Sequence, residues 1–200
     1  GAYSPAPVLG PEMEKTVMET VMKPFLRGVQ AEGMDFRGVI YAGLMIKDGE
    51  KPFVLEFNCR FGDPETQAVM RRLDSDFFEV VLATSEGKLS RVDVQWKQEA
   101  SVCVVMASGG YPGSYQKGKI INGLDKAGKM KDVVVFHAGT GFSGENVVTA
   151  GGRVLGVTAT GKDVKEAKAK AYEAVQKISF DGMQYRTDIA DKAIKGTSCK

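Results

Sequence analysis

Glu56, Asn58 and Arg60 alternate along an apolar run, Val54-Leu55-Glu56-Phe57-Asn58-Cys59-Arg60, which opens into Phe61-Gly62-Asp63-Pro64-Glu65-Thr66-Gln67. In a strand, residues two apart project to one face, so a carboxylate, an amide oxygen and a guanidinium would form a line if the strand persists to residue 60. A hard divalent cation such as Mg2+ takes oxygen ligands in octahedral array and completes its shell with water and substrate phosphates. Glu56 and Asn58 suit that need. Arg60, one step along, could stabilise a phosphate or acyl phosphate through charge-assisted hydrogen bonds. A half-buried strand with an incidental Glu and Arg on its wet face would show the same alternation. The turn that follows weighs towards chemistry, because Asp63, Glu65 and Thr66 add two carboxylates and a hydroxyl at the N-terminus of an expected helix, a natural anion site.

The elements that must position these groups can be read from periodicity. Glu12 to about Gly33 has Val17, Val21 and Phe25 at helical spacing, with Met18 and Met22 beside them as further core candidates, and Pro24 should kink or divide that helix. Phe36 to Ile46 and Pro52 to Phe57 are apolar runs joined by Lys47-Asp48-Gly49-Glu50-Lys51, the pattern of an antiparallel hairpin. Pro64 suits the first turn of a helix reaching about Leu73, with Asp63 as a possible cap. A second helix, Asp76 to about Glu86, offers Phe77, Val80, Val81 and Leu82 as its buried face. The pattern turns polar from Gly87 to Gln98, which places a domain boundary near residue 98.

Beyond it, Ala100–Ala107, Val133–Ala138, Asn146–Thr149 and Arg153–Thr160 read as short strands, and Asp163 to about Ile178 as an amphipathic helix capped by Asp163. The glycine-rich pieces at 108–113 and 139–144 lack a strand-loop-helix context and a following Gly-Lys-Ser/Thr, so they read as tight turns. The expected fold class is α+β, with residues 1–98 one domain and 99–200 a small α+β domain of short strands and one helix.

Composition narrows the function classes. A hydrophobic content of 43% with 26% charge suits a soluble globular chain, and 27 basic against 25 acidic residues leave a net charge of only +2. No Lys/Arg cluster is interleaved with aromatics, which argues against nucleic acid as a main partner. No apolar run approaches the roughly 20 residues that span a bilayer, and no basic-then-apolar leader opens the chain. The three cysteines, Cys59, Cys103 and Cys199, form no Cys-x-x-Cys pair. They suit a reducing, cytoplasmic compartment, and Cys59 and Cys103 read as core residues. His137 is the sole histidine and so lacks a histidine partner for metal binding; a hydrogen-bonded structural role is expected. The first residues, Gly1 to Val8, lack an initiator methionine and read as the middle of a loop in something longer.

Leu55-Glu56-Phe57-Asn58-Cys59-Arg60 resembles the metal-binding strand of ATP-grasp ligases, and residues 60–67 resemble the signature of the phosphoribosylamine–glycine ligase family within them. Gly1-Ala2-Tyr3-Ser4-Pro5-Ala6-Pro7 and Gly182-Met183-Gln184-Tyr185-Arg186-Thr187-Asp188-Ile189 are similar to two further stretches of that family. The resemblance implies the C-terminal half of an ATP-grasp domain, antiparallel strands with helices, followed by the small domain. It implies ATP-dependent ligation of glycine to 5-phosphoribosylamine through a glycyl phosphate, with Mg2+ or Mn2+. Glu56 and Asn58 match the metal ligands, Arg60 a position that contacts the phosphoryl group, and Leu55 a candidate adenine wall. Asp63, Glu65, Thr66 and Ser4 become candidates for the substrate side. Many ATP-grasp enzymes carry another acidic ligand about thirteen residues before the Glu of Glu-x-Asn, where this chain has Tyr41-Ala42-Gly43-Leu44. The family's glycine-rich lid and the basic grip on ATP would precede Gly1, so the 200-residue chain alone is expected neither to turn over nor to bind ATP tightly. Two rival readings are another ATP-grasp carboxylate–amine ligase or carboxylase subunit, and a binding module in which the hairpin is only structural.

Overall fold

The computed structural model describes residues 1–47, 49 and 51–196. In chain order the elements are β1 (Ala2–Ser4), α1 (Pro11–Val17), a π-helical turn (Met18–Met22), α2 (Lys23–Ala31), β2 (Tyr41–Lys47), β3 (Lys51–Asn58), α3 (Glu65–Met70), α4 (Phe77–Ser85), a 3-10 turn (Leu89–Arg91), β4 (Ala100–Ser108), α5 (Leu124–Gly128), β5 (Val133–His137), β6 (Thr140–Ser143), β7 (Asn146–Thr149), β8 (Arg153–Gly161), α6 (Val164–Val175), β9 (Met183–Gln184) and α7 (Asp191–Lys195). The fold is α+β, and every strand pair of the sheets is antiparallel. No described helix is long and apolar enough to cross a membrane.

The chain divides into two compact units. A hairpin unit is built from Pro5–Gly62 and Leu73–Trp96, and a C-terminal unit from Gly1–Ser4, Asp63–Arg72 and Lys97–Ile194. The two units interleave along the sequence, with one seam at Trp96/Lys97. The reason is pairing: β1 is a strand, not a loop, and joins β4 with Ala2 opposite Cys103 and Ser4 opposite Ser101.

In the hairpin unit, the helical stretch from Pro11 to Ala31 responds to Pro24 as backbone chemistry demands. Pro24 has no N–H to give to the carbonyl four residues back, and its ring would crowd that group. The preceding turn widens to π register, with the Lys23 N–H bonding the Met18 carbonyl. Met13, Val17 and Val21 form the buried stripe, against which Met22, Leu44 and Ile46 pack. Met18, expected beside them in the core, is 43% exposed because the widened turn rotates it off the stripe. The Phe25 and Phe57 rings lie 4.3 Å apart, a contact that ties α2 to β3. Strands β2 and β3 pair from Tyr41 opposite Asn58 to Lys47 opposite Lys51, so residues 36–40, expected to be strand, fall before β2. Gly49 takes a left-handed φ of 73° in the turn, as expected of the Asp-Gly pair; Asp48 and Glu50 lie outside the described residues. Helix α4 is capped by Asp76, whose Oδ1 accepts from Phe78 N at 2.8 Å and Glu79 N at 3.2 Å, yet none of its apolar residues is buried.

The C-terminal unit is organised around β4 and β8. Its sheet runs β1-β4-β8-β5, with β9 pairing the far end of β4. Helix α6 lies over the sheet and buries Ala167, Ala171, Ala174 and Val175, the small residues that let a helix approach closely. Asp163 caps it through Glu166 N at 2.8 Å, and Glu166 Oε2 returns to Lys162 N at 3.1 Å. The core is continuous: Val102, Val104, Met106, Val154, Leu155 and Val157 are fully buried. The glycine-rich piece at 139–144 is a strand as well as a turn, since β6 pairs with β7.

Candidate functional site

Strand β3 runs unbroken through Glu56 and Asn58, so backbone alternation places both on one face. Glu56 is exposed and Asn58 half-buried. The hairpin register slips between Gly43 and Leu44, which face Glu56 and Val54, and this leaves Leu55 as the extra residue of a β-bulge. Bulges re-aim side chains, and Leu55 stands 66% exposed. Gly43 sits directly across from Glu56, where a Cβ would come within 3.1 Å of Glu56 Cγ. The missing side chain at position 43 thus gives Glu56 room.

Arg60 departs from the sequence expectation. The strand ends at Asn58, so Arg60 does not continue the line of Glu56 and Asn58. It is exposed and donates from Nη1 to the Phe61 carbonyl at 3.0 Å, a short-range contact at the start of the turn. Cys59, expected in the core, is exposed for the same reason: the chain has left the hairpin there. Among the described residues no group of three or more His, Cys, Asp or Glu side chains is placed to share a metal ion. One carboxylate and one amide oxygen on a single strand face fit a hard cation that draws the rest of its shell from water and phosphate oxygens.

The signature turn enters the C-terminal unit at Asp63. Helix α3 starts at Glu65 and ends at Met70, shorter than expected, and Pro64 occupies the cap position without a capping side chain. Asp63 is engaged with other partners instead. Its Oδ1 accepts from Gln67 Nε2 at 3.0 Å, its Oδ2 lies 3.3 Å from Arg153 Nη2, and its carbonyl accepts from Arg153 Nη1 at 2.8 Å. Glu65 and Thr66 open the first turn of α3 and are half-buried. The Ser4 hydroxyl accepts from Arg72 Nη1 at 2.8 Å, while the same guanidinium reaches the Glu99 carbonyl at 2.9 Å and the Lys97 carbonyl at 3.2 Å. Arg72, beside Arg71, and Arg153, at the head of an apolar run, carry no signal of these roles in the sequence.

Cys103 and His137, outside the turn, fill structural places. Cys103 is buried in β4, and desolvation pushes its thiol up to about 11 from 9.0. His137 Nδ1 shares a 3.0 Å hydrogen bond with Thr140 Oγ1 at the β5–β6 turn.

The ATP-grasp (A) domain of phosphoribosylglycinamide synthetase matches residues 1–66, and the C domain of the same enzyme matches residues 101–192. The chloroplastic phosphoribosylamine–glycine ligase of Arabidopsis thaliana is 52% identical over 98% of this chain and 37% of its own length. The Neisseria meningitidis serogroup B phosphoribosylamine–glycine ligase is 52% identical over 97% of this chain and 46% of its own. The crystal structure of the Thermotoga maritima phosphoribosylamine–glycine ligase superposes with a TM-score of 0.76 at 38% identity, covering 88% of this chain and 42% of that one. The biotin carboxylase domain of Hydrogenobacter thermophilus 2-oxoglutarate carboxylase gives a TM-score of 0.64 at 12% identity over 98% of this chain, a likeness of fold alone. The chain therefore spans less than half the length of these relatives.

Proposed function

The chain belongs to the phosphoribosylglycinamide synthetase family of ATP-grasp ligases, and on that premise we propose that the whole enzyme joins glycine to 5-phosphoribosylamine, forming glycinamide ribonucleotide, ADP and phosphate. In this reading a glycine carboxylate oxygen attacks the γ-phosphorus of ATP and ADP leaves. The amine of phosphoribosylamine then attacks the carbonyl carbon of the glycyl phosphate, the C–O bond breaks, and inorganic phosphate departs as the amine loses a proton. Little covalent help is needed from protein; positioning and charge neutralisation carry the rate.

The observation that carries the proposal is Glu56 and Asn58 on one face of an unbroken strand, opposite a glycine that leaves the carboxylate room. These two would hold Mg2+ or Mn2+, which when bound neutralises phosphate charge. Arg60 is assigned to the transferring phosphoryl group or acyl phosphate, and the exposed Leu55 to the adenine face. Asp63, Glu65, Thr66 and Ser4 are assigned to the glycine and amine side, with Asp63 oriented by Arg153 and Ser4 by Arg72. The rest of the longer polypeptide would supply the opposite jaw and the grip on ATP. A reducing, cytoplasmic setting suits the exposed Cys59 thiol.

Glycine labelled with 18O in its carboxylate tests the chemistry in the whole enzyme. One labelled oxygen should appear in the inorganic phosphate at each turnover. Phosphate without label would remove the acyl phosphate and the proposal with it.

A further inference from the structure

At the end of β8 away from Arg153, a group of charges surrounds a cavity within the C-terminal unit. Its volume is about 580 Å³, within the range of small-molecule sites. Arg71 enters it from the end of α3, Lys97 and Glu99 from the approach to β4, and Asp132 from the residue before β5. Thr160, Gly161 and Lys162 at the end of β8 and Glu166 and Lys170 of α6 close it. None of these residues has a part in the proposed ligation.

The inner wall is rigid and its charges are matched. Gly161 lets the end of β8 meet the start of α6, since a Cβ there would lie 2.6 Å from Ala167 N. Asp132 holds a left-handed φ of 64°, uncommon outside glycine. Thr160 N donates to its carbonyl at 3.0 Å, and Lys170 Nζ donates to its Oδ2 at 2.8 Å. Lys170 also pairs with Glu166 Oε1 at 3.0 Å, so one ammonium serves both carboxylates.

The outer charges have no such partners. Arg71 Nε is buried with no hydrogen-bond partner, whereas buried donors in folded proteins are as a rule paired. Among the described residues Lys97, Lys162 and Glu99 enter no ion pair. Three cations against one carboxylate leave an excess of positive charge, and with the inner trio included the lining is still positive. An arginine fork flanked by two ammonium groups suits the several oxygens of a phosphate, to which the Thr160 hydroxyl can also donate. The cavity has room beyond a bare phosphate, and Glu99 offers an acceptor to hydroxyl groups there.

We propose that this cavity is an anion site for a phosphate group, free or carried on a small hydroxylated molecule, held by Arg71, Lys97 and Lys162. It is separate from the phosphates of the proposed reaction.

The test is a titration of the 15N-labelled 200-residue chain with inorganic phosphate and, separately, with glycerol 3-phosphate. Amide shifts should centre on residues 71, 97–99, 132 and 160–162, and sodium chloride at equal ionic strength or glycerol alone should produce none there. Tighter binding of glycerol 3-phosphate would support the site and assign it to a phosphate monoester; equal or tighter binding of inorganic phosphate would support it as a site for free phosphate. Arg71→Gln should weaken both at least about 10-fold, the loss expected for a charge-assisted hydrogen bond, and Arg71→Lys by less. Unchanged amide positions in β4 and β8 would verify that the variant folds, and Lys97→Gln, which alters an exposed side chain, should weaken both ligands without touching the core. Shifts confined to other residues, the same response to chloride, or full affinity in Arg71→Gln or in Lys97→Gln would overturn the proposal. Glu56→Gln should leave this binding intact, so a failure of the phosphoryl-transfer reading and a failure of the anion site show up in different experiments.

Discussion

Strands β3 and β8 are close in apolar content and opposite in fate. Lys-Pro-Phe-Val-Leu-Glu-Phe-Asn and Arg-Val-Leu-Gly-Val-Thr-Ala-Thr-Gly both read as strands. Strand β8 is covered: it lies between β4 and β5 under α6, with Val154, Leu155 and Val157 fully buried. Strand β3 has one strand partner, β2, and leaves Phe53, Val54 and Leu55 at 43%, 43% and 66% exposure. The contrast extends to whole units, since Met13, Val17 and Val21 make up the buried apolar cluster of the hairpin unit, whereas the other unit has a sheet-and-helix core. Apolar sequence thus marks two kinds of strand, one that holds the fold and one that presents a surface carrying Glu56 and Asn58.

The contrast can be broken at its buried end first. Leu155→Ala should cost the C-terminal unit about 4 kcal/mol, because the site lies between β-neighbours and cannot collapse. Leu55→Ala should change unfolding by less than about 0.5 kcal/mol, as expected of an exposed side chain. Urea unfolding of both variants measures the difference, and similar costs would mean that β3 is as structural as β8.

A second, somewhat smaller effect comes from pH. The folded state holds the Cys103 proton up to about 11, while the unfolded thiol releases it near 9.0. The thiol's contribution is therefore complete below pH 9 and falls as pH rises towards 11, by about 3 kcal/mol for a shift of two units. Cys103→Ala should flatten that part of the stability curve. A loss that persists in the variant would assign it to other groups.

Much of the C-terminal unit was legible in the sequence. Strands β4, β5, β7 and β8 and the Asp163 cap follow from β-branched runs and an Asp before a periodic helix, signals that depend on near neighbours. Strand β1 was not legible, because three residues carry no periodicity and only their pairing with β4 makes them a strand. The apolar face of α4 is left unburied, which apolar spacing cannot report, since spacing does not say whether anything covers a face. At the candidate site, the shared face of Glu56 and Asn58 could be read from alternation alone. The bulge at Leu55, the end of the strand before Arg60 and the hold of Arg153 on Asp63 could not, since each is set by a partner distant in sequence.

Glu56 is the decisive residue, an exposed carboxylate that does little for the fold. In the whole enzyme, Glu56→Gln keeps the shape and removes the charge, and glycine-dependent ADP formation should fall at least about 100-fold, the scale of losing a metal's charge stabilisation. Its unfolding midpoint should not move, and added Mg2+ or Mn2+ should restore part of the rate. Full glycine-dependent ADP formation by this variant at ordinary metal concentration would contradict the assignment of Glu56 to the metal.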